Sequence, residues 1–323
     1  MSKAVFVREH GGPEVLSLEQ RELPEPGSGE VVVRNRAIGL NFIDTYQRSG
    51  LYRVPLPFVA GNEGAGEVTA VGPEVSDVAV GDRVTYAGPL GAYAEERIMP
   101  AGRTAPIPDG VGYETAAAVT LKGITAYYLI FETWPVKSTD VILVHAAAGG
   151  VGLLVTRWAK SLGARVYGTA GSDEKVALAK EAGADEVINY REHDFVARVR
   201  ELTGGRGVDV VYDGVGKSTF EGSLDCLRPR GLMVSYGNAS GPVAIPNLVV
   251  LSTKGSLYLT RPTTGTYMAT TEQFRTAVGA VFEAVKSDVI RVAINQRFPL
   301  ADAAEAHRAL EGRMTTGSTV LLP

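Results

Sequence analysis

From residue 141 onward, short runs of β-branched and apolar residues alternate with longer segments in which apolar positions recur at helical spacing. The runs 141–144, 165–169, 186–189, 208–212 and 232–235 read as strands, and 152–161, 173–182, 195–203 and 218–227 as helices. A strand that is apolar throughout buries both faces, and the intervening helices supply the cover. The pattern therefore predicts a parallel sheet with helices on both sides. A last run, 256–259, predicts an edge strand.

The pattern before residue 108 is different. It is dense in Gly and Pro, with short β-rich runs at 31–34, 66–71 and 83–86, and predicts an irregular β domain. Between the two halves, 113–131 predicts one or two helices with Ala116, Ala117, Ala118 and Leu121 on an apolar face, interrupted at Lys122-Gly123. After the edge strand, 272–285 and 301–310 read as helices and 318–322 as a strand. This tail does not continue the βα alternation and is assigned back to the first domain. The expected division is 1–124, 125–262 and a return over 263–323.

Composition narrows the function classes. At 323 residues the chain exceeds what one core usually supports, in keeping with two domains. A net charge of -4 without a basic stripe argues against nucleic acid as a partner. Cys226 is the single cysteine, so there is neither an intrachain disulfide nor a cysteine cluster for structural zinc. The residues after Met1 lack the apolar core of a secretory signal, and no apolar run reaches membrane-spanning length. A cytoplasmic location without membrane association is expected.

The most specific signal is Ala146-Ala147-Ala148-Gly149-Gly150-Val151-Gly152, between the strand ending at Val144 and an apolar helix. In the dinucleotide fingerprint of a Rossmann fold, Ala147 takes the first glycine position, and Gly149 and Gly152 the second and third. Gly149 lets the backbone approach a pyrophosphate, Gly152 lets the helix pack on the sheet, and the helix N-terminus supplies N–H donors. An NAD-specific site carries an acidic residue about 20 residues further on, at the end of the second strand. Here that strand ends Thr169-Ala170-Gly171-Ser172, with Lys175 one turn later. The absence of a carboxylate favours NADP(H), with Ser172 and Lys175 as partners for a 2′-phosphate. The alternative is a plain capped helix with Lys175 in solvent.

Taken with four further motifs, this loop resembles the quinone oxidoreductase and ζ-crystallin branch of the zinc-independent medium-chain dehydrogenases/reductases. The motifs are Asn41-Phe42-Ile43-Asp44-Thr45-Tyr46 with Arg48, Gly50 and Tyr52; Gly61-Asn62-Glu63-Gly64-Ala65-Gly66; Val187-Ile188-Asn189-Tyr190-Arg191; and Gly255-Ser256-Leu257-Tyr258. The resemblance spans essentially the whole chain. It implies an α/β protein in which a Rossmann doubly wound parallel sheet is inserted into a GroES-like, β-rich catalytic domain. It further implies Asn41 and Thr125 near the nicotinamide, and Gly171, Ser172, Lys175 and Tyr190 around the adenosine phosphate. Tyr236, Gly237 and Asn238 would approach the cofactor, and Arg261 would add charge near the phosphate. The run 256–259 resembles the strand through which relatives pair, which implies a homodimer.

Zinc-dependent relatives carry a histidine where this chain has Asn62, and their catalytic cysteine region appears here as Leu40-Asn41-Phe42-Ile43-Asp44. Without Cys or His at these positions no metal site is expected, and His10, His145, His193 and His307 are read as structural or solvated. Without a Lewis acid, electron-poor acceptors become the sensible substrates. The expected reaction is hydride transfer from NADPH to a quinone or similar conjugated carbonyl, with Tyr46, Tyr52 and Asn41 near the acceptor. Asp44 and Glu63 are read as structural hydrogen-bonding groups rather than acid–base catalysts. Two rivals stay open: reduction of an enone, 2-alkenal or enoyl thioester on the same frame, and a non-enzymatic structural or RNA-binding role.

Overall fold

The computed structural model describes residues 1–245 and 247–323, and the chain divides into two compact units. The first comprises 1–124, 270–286 and 292–323; the second comprises 125–269 and 287–291.

Six parallel strands form the sheet of the second unit. Their spatial order is Glu186–Asn189, Arg165–Ala170, Val141–Val144, Val208–Asp213, Leu227–Ser235, Tyr258–Thr260. The first strand in sequence thus lies inside the sheet, and the order reverses beside it. That is the doubly wound Rossmann arrangement, in which the carboxyl ends of the strands open a crevice at the reversal point. Leu143, Ile188, Val211 and Met233 pack with Val199, Phe220 and Leu224, which come from helices Phe195–Leu202 and Phe220–Cys226.

Two boundaries differ from the sequence expectation. The edge strand begins at Tyr258, because Gly255 and Ser256 have φ of 112° and 56°, left-handed values that a strand cannot contain. Residues 263–269 stay with the second unit, where Tyr267 stacks on Tyr128 at 4.8 Å between ring centroids.

The first unit is built from both chain ends. Its larger sheet runs Ile294–Pro299, Ser318–Leu322, Glu30–Leu40, Glu63–Val71, Arg83–Ala87, Thr104–Pro106, with Glu96–Pro100 also paired to Glu30–Leu40. A smaller sheet orders Leu16–Arg21, Ser2–Val7, Phe58–Val59. Val5, Val33, Ile38, Val68, Tyr93 and Leu321 share its core. The strands Ser2–Val7, Leu16–Arg21 and Ile294–Pro299 and the helix Phe42–Arg48 escaped the sequence reading. A seven-residue helix is too short to display a period.

Helix Tyr113–Tyr127 runs unbroken through Lys122-Gly123 and continues as a π-helical turn, Tyr128–Thr133. Gly123 is a packing residue, since a Cβ there would stand 2.6 Å from Val281 of helix Thr271–Lys286. Among the described residues no helix is long and apolar enough to cross a membrane.

Candidate active site

In the second unit, helix Gly150–Ser161 starts after Gly149 with no side chain capping its N-terminus. The helices that follow the next two strands are capped by Ser172 and Asp194. The first-turn N–H groups at Gly150, Val151 and Gly152 are therefore open to an outside acceptor. A Cβ on Gly152 would collide with the carbonyl of Ala146, and the methyl of Ala147 fits only because Gly168 faces it, where a Cβ would come within 2.7 Å. Ala147 N also donates to Thr169 O at 3.0 Å. Alanine is thus accommodated at the first fingerprint position. This cradle fits a pyrophosphate.

His145 pins the loop from below. Its Nδ1 lies 2.8 Å from Thr169 Oγ1 and its Nε2 2.9 Å from Ser223 Oγ, which in turn donates to Asp213 Oδ2 at 3.0 Å. Burial lowers the imidazole pKa, against the opposing pull of the Asp213 carboxylate. This histidine is structural, as the sequence implied.

Gly171, Ser172, Lys175 and Tyr190 come together. A Cβ on Gly171 would strike the Tyr190 hydroxyl. Ser172 Oγ accepts from Lys175 N at 3.4 Å, which places Lys175 in the first helical turn. Asn189 Nδ2 donates to Asp173 Oδ1 at 3.0 Å, so the carboxylate after Ser172 is turned toward the third strand.

Tyr236, Gly237 and Asn238 follow the strand Leu227–Ser235, and Gly237 packs against the backbone of Gly214. Arg261 Nη1 donates to Ser235 Oγ at 2.9 Å and to Gly237 O at 3.0 Å. It follows the edge strand Tyr258–Thr260, with three strands between that edge and Arg165–Ala170, and it braces the 236–238 loop. Thr125 is buried near the end of helix Tyr113–Tyr127 and bonds the Tyr128 side chain.

In the first unit, Glu63 is fully buried and saturated with donors. Its Oε1 accepts from Leu121 N at 2.5 Å, and its Oε2 from Asn41 Nδ2 at 2.8 Å and Lys122 Nζ at 3.2 Å. Gly39 must lack a side chain, because a Cβ would meet both this carboxylate and the carbonyl of Ala117. Asn62 Nδ2 donates to Asp44 Oδ1 at 2.7 Å and Gln47 Oε1 at 2.6 Å. At the positions where zinc-dependent enzymes place soft and imidazole ligands, two amides present N–H groups to carboxylates, and an ammonium already neutralises Glu63. This donor set does not fit zinc.

Lys122 was missed as a site residue. Its signal was legible, because a lysine within the apolar run Ala116-Ala117-Ala118-Val119-Thr120-Leu121-Lys122-Gly123-Ile124 requires a buried acidic partner.

Tyr46 and Tyr52 are also brought together, edge to face at 5.3 Å between centroids. Behind them runs a directional chain of hydrogen bonds. Arg48 donates to His307 Nδ1 at 3.0 Å, His307 Nε2 to the Tyr93 hydroxyl at 3.0 Å, and that hydroxyl to Asp44 Oδ2 at 3.0 Å. Arg48 is anchored bidentately on Glu311 at 3.0 and 2.7 Å. Burial pushes the Asp44 carboxyl up to about 6, against the three hydrogen bonds that favour its ionised form. Burial and the Arg48 charge bring His307 down to about 3. The chain ties helix Ala303–Glu311 to the segment carrying Asn41, Asp44 and Tyr46.

The zinc-binding dehydrogenase family matches residues 150–283, and the alcohol dehydrogenase GroES-like domain matches 27–109. A quinone oxidoreductase from Pseudomonas aeruginosa is 55% identical over the full length of both chains. A 2-haloacrylate reductase from a Burkholderia species is 46% identical over 100% of this chain and 99% of its own. Among solved structures, the Escherichia coli quinone oxidoreductase complexed with NADPH superimposes with a TM-score of 0.98, at 49% identity, covering 99% of this chain and 100% of that one.

Proposed function

The chain belongs to the quinone oxidoreductase family of medium-chain dehydrogenases/reductases, and from that premise we propose that it reduces quinones with NADPH by hydride transfer, without a metal. The observation that carries the cofactor choice is the end of the second Rossmann strand. There Gly171 lies against the Tyr190 hydroxyl, Ser172 caps the helix and Lys175 sits in its first turn, beside the carboxylates of Asp173, which accepts from Asn189, and Glu174. Gly171 and Ser172 stand at the strand end itself, where an NAD-specific site carries a carboxylate.

When bound, the nicotinamide supplies the hydride. Ala147 and Gly149 to Gly152 receive the pyrophosphate, and Tyr236 to Asn238, braced by Arg261, form the neighbouring wall. Tyr46 and Tyr52 offer aromatic faces and hydroxyls to a planar acceptor, and Thr125 contributes on the nicotinamide side. Asn41 donates to Glu63, so its role is to hold the acceptor-side segment in register. A quinone delocalises the incoming charge over its two oxygens, so alignment and modest hydrogen bonds suffice, and a solvent proton completes the hydroquinone.

The second reading, reduction of an activated carbon–carbon double bond, is favoured by the likeness to 2-haloacrylate reductase. Rates of NADPH oxidation with 1,2-naphthoquinone and benzoquinone, set against 2-alkenals, 2-chloroacrylate and crotonyl-CoA, separate the two. Quinone preference supports the proposal, and preference for an alkene overturns it. We further propose a cytoplasmic homodimer paired through the edge strand Tyr258–Thr260, where Tyr258 is exposed. Sedimentation of wild type and Tyr258→Asp tests the pairing.

A further inference from the structure

Arg97 is 3% exposed, yet its Nε and Nη1 have no hydrogen-bond partner, and the Nε of Arg21 is buried in the same condition. The remaining nitrogen of Arg97, Nη2, donates to Pro89 O at 3.0 Å and Leu90 O at 3.2 Å, and its guanidinium lies 4.7 Å from the centre of the Tyr86 ring. Arg21 Nη2 donates to Glu96 O at 2.7 Å. Arg21 and Arg97 both line one cleft of about 290 Å³ in the first unit, together with Leu23, Phe58, Leu90 and Ile98.

Buried donors in folded proteins are almost always paired, and two cations sharing a cleft repel. Burial, and after it the charge of Arg97, lowers the Arg21 pKa below its ordinary value. The nearby carboxylates do not relieve this. Glu95 accepts from Lys3 N and Glu96 from Arg34, while Glu22, exposed on the rim, pairs with neither arginine. Arg97 also grips the loop whose Gly88 and Gly91 amides bond Asn62 O and Gly61 O.

We infer that this cleft is a binding site for a small organic anion, whose carboxylate or phosphate head bridges Arg21 and Arg97 while its apolar body lies against Phe58 and Leu90. Guanidinium groups suit such heads because their N–H forks match paired oxygens. The inference is independent of the reaction proposed above.

Calorimetric titration of NADPH-saturated protein with benzoate, phenyl phosphate and inorganic phosphate tests it, since bound NADPH keeps these probes out of the cofactor's own phosphate sites. One-to-one binding of an organic probe is expected, weakened about tenfold or more in Arg21→Met. Benzoate binding alone identifies a carboxylate ligand; binding of both phosphates identifies a phosphate ligand. The melting temperature of anion-free Arg21→Met is expected to equal or exceed that of wild type, because one of two like charges is gone. Absence of binding by every probe at millimolar concentration, or binding unchanged in both Arg21→Met and Arg97→Met, overturns the inference. So does a fall in the melting temperature of Arg21→Met with full anion-dependent stabilisation retained.

Discussion

Lys122 holds its ammonium 3.2 Å from Glu63 Oε2, with side chains 8% and 0% exposed. Removing one partner of a buried pair leaves an uncompensated charge, which costs about 3–5 kcal/mol. Lys122→Met is expected near the lower end, because Glu63 keeps its bonds from Asn41 and Leu121. Urea unfolding of Lys122→Met, Glu63→Gln and the double variant measures this. The double variant should lose less than the two single losses added together; strict additivity would mean that the pair is not coupled.

The Asp44 and His307 network has a pH signature with opposed signs. Asp44 is raised from 3.8 to about 6, so the folded state holds its proton more tightly, and this stabilisation is present below about pH 4 and lost as pH rises to about 6. His307 is lowered from 6.5 to about 3, so the unfolded state binds the proton first and stability is lost as pH falls through that range. Between about pH 4 and 6 the two slopes oppose each other, each approaching roughly 1.4 kcal/mol per pH unit. Asp44→Asn should therefore lose stability on acidification from pH 6 to 4 more steeply than wild type, and His307→Gln should gain it. Parallel pH profiles for all three proteins would contradict the account.

Lys175→Ala should weaken NADPH about tenfold to a hundredfold and leave NADH nearly unchanged, since only NADPH carries the 2′-phosphate. The loss should shrink at high salt, as befits an accessible ion pair. Fluorescence titration of both cofactors at two ionic strengths reads it. Equal losses for the two would assign Lys175 to supporting the loop.

Tyr52→Phe should lower turnover with quinones more than it weakens NADPH binding. Asn41→Ala should lower turnover and stability together, because Glu63 loses a donor as well. Steady-state kinetics with cofactor titration and a melting curve tests both. Full turnover in both variants would remove these residues from the acceptor side.

The second unit was largely legible in the sequence, because its central strands contain apolar runs at 141–144, 210–212 and 232–234 and the loop from Ala146 to Gly152 has a fixed chemistry. The first unit was not. Strands such as Leu16–Arg21 and Ile294–Pro299 alternate between half-buried and exposed residues, and their pairing partners lie far away in sequence. Asn41 and Tyr46 were found through motifs, whereas the need of Lys122 for an acidic partner was legible but its identity was not, since Glu63 lies 59 residues away and only the fold joins the two. The unpaired nitrogens of Arg21 and Arg97 have no sequence signal at all, because what marks them is a missing partner.

The most direct test is oxidation of 4-deuterated NADPH by 1,2-naphthoquinone with chelator-treated enzyme. The account predicts turnover that survives chelation, a primary isotope effect under single-turnover conditions for the transferred deuterium, and a clear preference over NADH. Activity that vanishes with the chelator and returns with zinc, or NADPH left unoxidised in the presence of quinone, would contradict it.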